Sequence, residues 1–168
     1  MASLCLLVVF PFLMAYAAAS DVLTMTIPNR VSLILVAAFV PLAATASLGW
    51  TEIGSHIGAF GLVLTVGFTL FAFGVIGGGD AKLAAATALW LGFEPLLDYV
   101  VNFSLLGGVL ALAILYVRGQ PLPGFVIAWP FALRLHDRCV GMPYGVALSA
   151  SALITCPSAP LWRLALSA

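Results

Sequence analysis

Charge is scarce in this sequence, and that alone excludes most kinds of soluble protein. Six acidic and six basic residues in 168 make 7% of the chain, against about 25% in a typical globular domain, while 64% of residues are hydrophobic. So few ionic groups cannot cover a surface in contact with water. The expected fold class is therefore all-α, a polytopic integral membrane protein in which residues 1–168 form a single domain in the lipid bilayer. The net charge is zero and no basic run occurs, so no nucleic-acid partner is expected. Cys5, Cys139 and Cys156 stand apart without Cys-x-x-Cys spacing, which leaves neither a zinc site nor a redox motif, and they read as small apolar residues packed in helices. His56 and His136 are equally isolated and no His-Glu-x-x-His pattern occurs, so no metal site is expected.

What the chain has instead is a series of apolar runs. The first extends from about Leu4 to Ala19. Ala17-Ala18-Ala19-Ser20 offers the small residues of a signal cleavage site, but the region before it lacks Lys and Arg and a mature chain would begin at Asp21, so a retained span is expected. A second span covers about Val31 to Leu48 and ends at Trp50, an aromatic suited to the headgroup level, with Glu52 and His56 placed in the connection beyond it. The third, about Ile57 to Ile76, leads into Gly77-Gly78-Gly79. The fourth, Leu83 to Phe93, is short of the roughly 20 residues of a full crossing, and Glu94-Pro95 ends it. A fifth runs from Leu96 or Tyr99 to about Val117. Arg118 to Met142 is then the longest stretch between spans. Pro121, Pro123 and Pro130 break it, and Phe125, Trp129 and Phe131 lay it along the membrane interface. A sixth span starts near Pro143-Tyr144-Gly145 and ends around Pro157 to Leu161, with Trp162 and Arg163 marking an interface.

Six spans leave five connections, and the basic residues sort among them unevenly. Arg30, Lys82, Arg118, Arg134 and Arg138 fall in the first, third and fifth, and none falls in the second or fourth. Lys and Arg are retained on the cytoplasmic side, so the odd-numbered connections should lie inside and both termini outside. Arg30 and Lys82 are read here as topology signals. A span of about 20 residues separates its ends by about 30 Å, so carboxylates at opposite faces cannot meet. Glu52, Glu94 and Asp98 are thus set apart from Asp21 and Asp80. Asp137 shares the side of the latter two, but its neighbours Arg134 and Arg138 point to an ion-paired surface loop.

Asp21 and Asp80 remain as a pair at one boundary, where an ionisable group is costly and by default functional. Two carboxyl groups sharing a proton can hydrolyse a peptide bond: the ionised one draws a proton from water while the protonated one donates to the carbonyl oxygen. Glycines beside Asp80 would let a substrate backbone approach closely. A plainer reading makes Asp80 the N-cap of a helix from Ala81 onward, Gly77 to Gly79 a turn, Asp21 an ordinary juxtamembrane charge and Pro28-Asn29 a turn before the second span.

Three places in the chain resemble the type IV prepilin peptidases, membrane aspartyl proteases with a Gly-x-Gly-Asp motif. Asp21 is followed six residues later by Ile27-Pro28-Asn29; Gly77-Gly78-Gly79-Asp80 is followed by Lys82; and Pro143-Tyr144-Gly145 opens the last span. The resemblance covers essentially the whole chain. It implies six transmembrane helices, Asp21 and Asp80 as catalytic acids, and Pro28, Asn29, Gly77, Gly79, Lys82, Pro143, Tyr144 and Gly145 as residues that bind substrate or shape the site. It further implies a multi-pass enzyme of the bacterial inner membrane that faces the cytoplasm, uses no cofactor and cleaves leaders from prepilins. The chain looks most like the short members associated with Flp-type or tight-adherence pili. Larger relatives also methylate the new terminus and carry a cysteine-bearing loop between their first spans, for which Asp21 to Arg30 leaves no room. Val22 to Thr26 also lacks the basic residues that family members often carry there. The same motifs would fit an archaeal-type preflagellin peptidase. Outside the peptidases, buried acids would fit a small proton- or cation-coupled transporter, and the fold would fit an inactive pilus-assembly scaffold.

Overall fold

The structure, a computed structural model, describes residues 2–46, 48–121 and 129–167, with side chains from 8 to 164 within those ranges. Pro123, Phe125 and the Cys5 side chain lie outside the described residues. Those described form eight α-helices and no strand: α1 (Ala2–Thr24), α2 (Asn29–Thr45), α3 (Trp50–Ala72), α4 (Gly78–Leu91), α5 (Leu96–Arg118), α6 (Pro130–His136), α7 (Tyr144–Thr155) and α8 (Pro160–Ser167). By length and composition α3 and α5 are long and apolar enough to cross a membrane. Their outer faces present Ile57, Leu62, Val66 and Phe68 on α3 and Leu105, Val109, Leu112 and Leu115 on α5, all exposed. Contiguous apolar surface of this kind belongs against lipid or another protein rather than water.

The short fourth helix is the centre of the bundle. With 14 residues it rises only about 21 Å, and it packs against α2, α3, α7 and α8. A helix apolar on every side is a buried one, and Ala81, Leu83 and Ala85 through Leu91 are all buried. Its alanines admit a close neighbour: a Cβ at Gly67 of α3 would stand 3.1 Å from that of Ala81. At its far end two side chains fasten it. Trp90 Nε1 donates to Leu35 O (2.9 Å), and buried His56 meets Leu89 O through Nδ1 at 2.7 Å. A carbonyl can only accept, so that ring nitrogen carries the proton, and it satisfies one of the carbonyls a helix end leaves unpaired.

Helix boundaries correct several expectations. Glu52 and His56 lie within α3 rather than in the connection before it. Gly49 caps that helix in extended conformation, and its N–H donates to Glu52 Oε2 at 2.9 Å, so the acidic residue starts the helix. The same helix ends at Ala72, short of Ile76. Gly74 adopts φ 71°, its N–H donates to Phe71 O and that of Val75 to Leu70 O, both at 2.9 Å, the paired bonds of a glycine-terminated helix. Pro130 opens α6 rather than breaking the chain, since the first helical position needs no N–H.

Further corrections concern the last third of the chain. Asp137 forms no ion pair with Arg134 or Arg138; its Oδ1 accepts the Cys139 N–H at 2.9 Å, and among the described residues the one ion pair is Arg163–Glu94. Cys139 is exposed in that turn, not packed in a helix, whereas Cys156 is buried as expected. The last apolar run is not one helix: α7 gives way to a 3₁₀ turn at Cys156–Ser158 containing Pro157, and Pro160 starts α8. That break turns α8 back against α1 and α4, so Trp162 is buried, 6.0 Å from Phe10 and edge-on to it, instead of marking an interface.

Candidate active site

Asp21 lies in the final turn of α1, where several small polar groups redirect the chain. Met25 takes φ 55°, Ser20 Oγ donates to Thr26 O at 2.9 Å, and Thr24 Oγ1 donates to Ser20 O at 2.8 Å. The chain thereby doubles back through buried Ile27 to Pro28, the N-cap of α2, and Asn29, its first residue. Asp21 itself is only 6% exposed. Its Oδ2 accepts the N–H of Gly145 at 2.7 Å. Gly145 is the second residue of α7, so this N–H is one of the donors that a helix leaves free at its start, and the helix dipole favours the carboxylate there. A side chain at 145 would force its neighbours to move: a Cβ would lie 2.8 Å from both Asp21 Oδ2 and Ile27 Cδ1.

Asp80 approaches from the opposite direction on α4. It is the third residue of that helix, whose N-cap is Gly77, and its carboxylate folds back over the Gly77 backbone. Asp80 is therefore not the N-cap, and Gly78 and Gly79 form the first helical turn rather than a loop before it. Close approach explains Gly79, where a Cβ would come within 3.2 Å of Ile27 Cβ. Ile27 thus touches both the glycine that holds Asp21 and the glycine that precedes Asp80. The charge on Asp21 acts on Asp80, and among the described residues neither carboxylate has a cationic partner.

The other residues singled out in the sequence gather at the same end. Lys82 Nζ donates to Asn29 Oδ1 at 3.0 Å, tying the start of α4 to the start of α2. Lys82 is therefore more than a topology signal. Buried Pro143 caps α7, and the ring of the following Tyr144 lies against Gly107 of α5. Two residues matter more to this geometry than their types announced. Arg118, at the end of α5, donates to Leu135 O (2.7 Å), Val140 O (3.0 Å) and Gly141 O (3.0 Å), which fixes the segment leading into Pro143. Arg134 donates to Leu23 O at 2.8 Å and ties α6 to the end of α1. Their place in the fifth connection was legible, but which carbonyls they would serve was not.

Residues 8–112 match the model of the type IV leader peptidase family, a stretch that contains Asp21, Ile27-Pro28-Asn29 and Gly77 through Lys82. The chain belongs to that family. Membership makes it a peptidase of the leader-processing kind, with a pilin-like precursor as the implied substrate. No curated protein and no solved structure matches the chain. The matched stretch of this leader peptidase ends before Pro143-Tyr144-Gly145, so the Gly145 N–H on Asp21 is what joins the third motif to the first two.

Proposed function

We propose that this leader peptidase is a membrane-embedded aspartyl endopeptidase in which Asp21 and Asp80 together activate water to cleave the leader from a type IV, Flp-type prepilin. The observation that carries this reading is that two acids from distant parts of the chain lie within electrostatic reach of each other, with Ile27 packed against the glycine beside each and, among the described residues, no cationic partner for either. A carboxylate kept from water and from counter-charge is costly, and hydrolysis supplies a use for it. One acid in its ionised form takes the proton of a water that attacks the peptide carbonyl. The other, protonated, donates to the oxygen, and the pair titrates as a unit, so neither role belongs to a named aspartate.

The same reading places α1 to α5 and α7 as six spans in the bacterial inner membrane. The ends that carry Asp21, Asp80, Lys82 and Arg118 would face the cytoplasm, as the distribution of basic residues favours. Pro28, Asn29, Gly77, Gly79, Lys82, Pro143, Tyr144 and Gly145 would shape the site around the two acids. The test is co-expression with a pilin-like precursor, followed by the mobility shift on leader removal. The wild type should process the precursor, while Asp21→Asn and Asp80→Asn should each abolish processing yet accumulate in the membrane fraction. Complete processing by either single variant would sink the two-acid mechanism.

A further inference from the structure

Beside Asp80 lies a cavity of about 440 Å³ between the end of α3, the starts of α4 and α7 and the middle of α5. That volume falls among those of ordinary ligand pockets, roughly 300–1,000 Å³. Its walls include Val75, Phe103, Gly108, Tyr144 and Leu148 and are almost entirely apolar, and Asp80 is the one carboxylate in them. The two adjacent glycines of α5 behave differently here. A Cβ at Gly107 would meet the Tyr144 ring at 3.4 Å, so Gly107 serves helix packing. At Gly108 a Cβ would meet nothing within 4 Å, although the residue lines the cavity. Its missing side chain leaves space that no part of the described protein fills.

We propose that this cavity receives an apolar side chain of the polypeptide substrate next to the bond being cut, and that Gly108 sets how large that side chain can be. The inference rests on Asp80 acting at the scissile peptide. A carbonyl placed against Asp80 carries its neighbouring side chains within reach of this wall, and the wall offers them burial with little polar competition. A lipid acyl tail would find the same apolar lining, but it would bring no amide to the carboxylate.

The experiment uses the full-length protein in membranes and a precursor that the wild type cleaves, in three forms with Ala, Leu or Phe at the residue flanking the scissile bond. Two variants narrow the cavity from different elements: Gly108→Phe on α5, and Val75→Phe on the α3–α4 connection, where the side chain is 65% exposed. Each should lower the ratio of Phe-form to Ala-form cleavage by about tenfold, through KM more than kcat, since one lost apolar contact in a fitted pocket discriminates by that order. If both variants slow the three forms equally, the cavity is a packing or acyl-chain site and the inference is overturned. An unchanged ratio with unchanged rates overturns it too. Should Gly108→Phe fail to accumulate, Val75→Phe alone reads the same ratio. A wild type that cleaves no precursor defeats the peptidase mechanism itself, which is a different failure from a wild type that cleaves without a change in preference.

Discussion

Acidic residues sit at both ends of the bundle, and they are treated in opposite ways. At one end Asp21 is buried and held by a backbone N–H of Gly145, Asp80 folds over its own helix start, and among the described residues no cation answers either. At the other, Glu52 caps α3 through Gly49, and Glu94 pairs with Arg163 at 3.6 Å on an exposed surface. The carboxylates there have ordinary structural partners and lie open to solvent or headgroups. Charge in a chain this apolar is expensive wherever it occurs, so the informative contrast is which charges have been neutralised and which have been left poised. Backbone amides orient these carboxylates, but no guanidinium among the described residues holds either one ionised, an arrangement that suits the proposed sharing of a proton between them.

The largest effect that separates the two ends is the loss of either acid. Asp21→Asn and Asp80→Asn should each reduce precursor cleavage by at least about 100-fold, the scale of a lost acid–base group, when rates are measured at matched protein levels. Next comes Gly145→Val. Its Cβ would enter the 2.8 Å approach to Asp21 Oδ2 and to Ile27, so the carboxylate must shift while remaining ionisable. Displacement on the order of 1 Å should cost about 10- to 100-fold in cleavage rate. A Gly145→Val variant with wild-type activity would show that the hold of α7 on Asp21 is irrelevant to the chemistry. Lys82→Met removes the 3.0 Å bond to Asn29 and retains most of the apolar stem. The loss of one such tie should lower the rate about two- to tenfold, without the collapse expected for the acids.

These expectations also show how far the residues alone carry the argument. The acids were legible because an ionisable group next to glycines at the edge of an apolar run has few innocent explanations, and the all-helical fold followed from the demand that apolar chain satisfy its own backbone. Helix ends were less legible. Apolarity continues through Phe73, Val75 and Ile76, but Gly74 terminates α3, and only the φ it adopts reveals that. Gly77 to Gly79 read as a loop because glycine weakens helices, yet two of them lie in α4, where Gly78 packs closely against Phe71 and Gly79 against Ile27. The last run misled because hydropathy cannot see a turn: Pro157 and Pro160 fold α8 back and bury Trp162, which in a straight span would have sat at the surface. Arg118 shows the same limit. Its charge marked a side of the membrane, whereas its three carbonyl partners depend on where a distant segment comes to rest.

The smallest effect should come from the ion pair at the opposite end, and it tests the comparison from its quiet side. Glu94 and Arg163 are joined at 3.6 Å with side chains 61% and 59% exposed, a distance and exposure at which screening removes most of the attraction. Glu94→Gln and Arg163→Gln should each change stability by less than about 1 kcal/mol, less still at high salt, and the double substitution should match either single one. Cleavage of a pilin-like precursor should be unaltered, because the pair neither reaches Asp21 or Asp80 nor fastens α4, which at that end is held by His56 and Trp90. Precursor processing and thermal unfolding measured on the same preparations check both halves of this. A fall in cleavage comparable to that of Lys82→Met would mean that the two ends of the bundle are coupled through α4, and that the division between poised and neutralised carboxylates does not mark where the chemistry takes place.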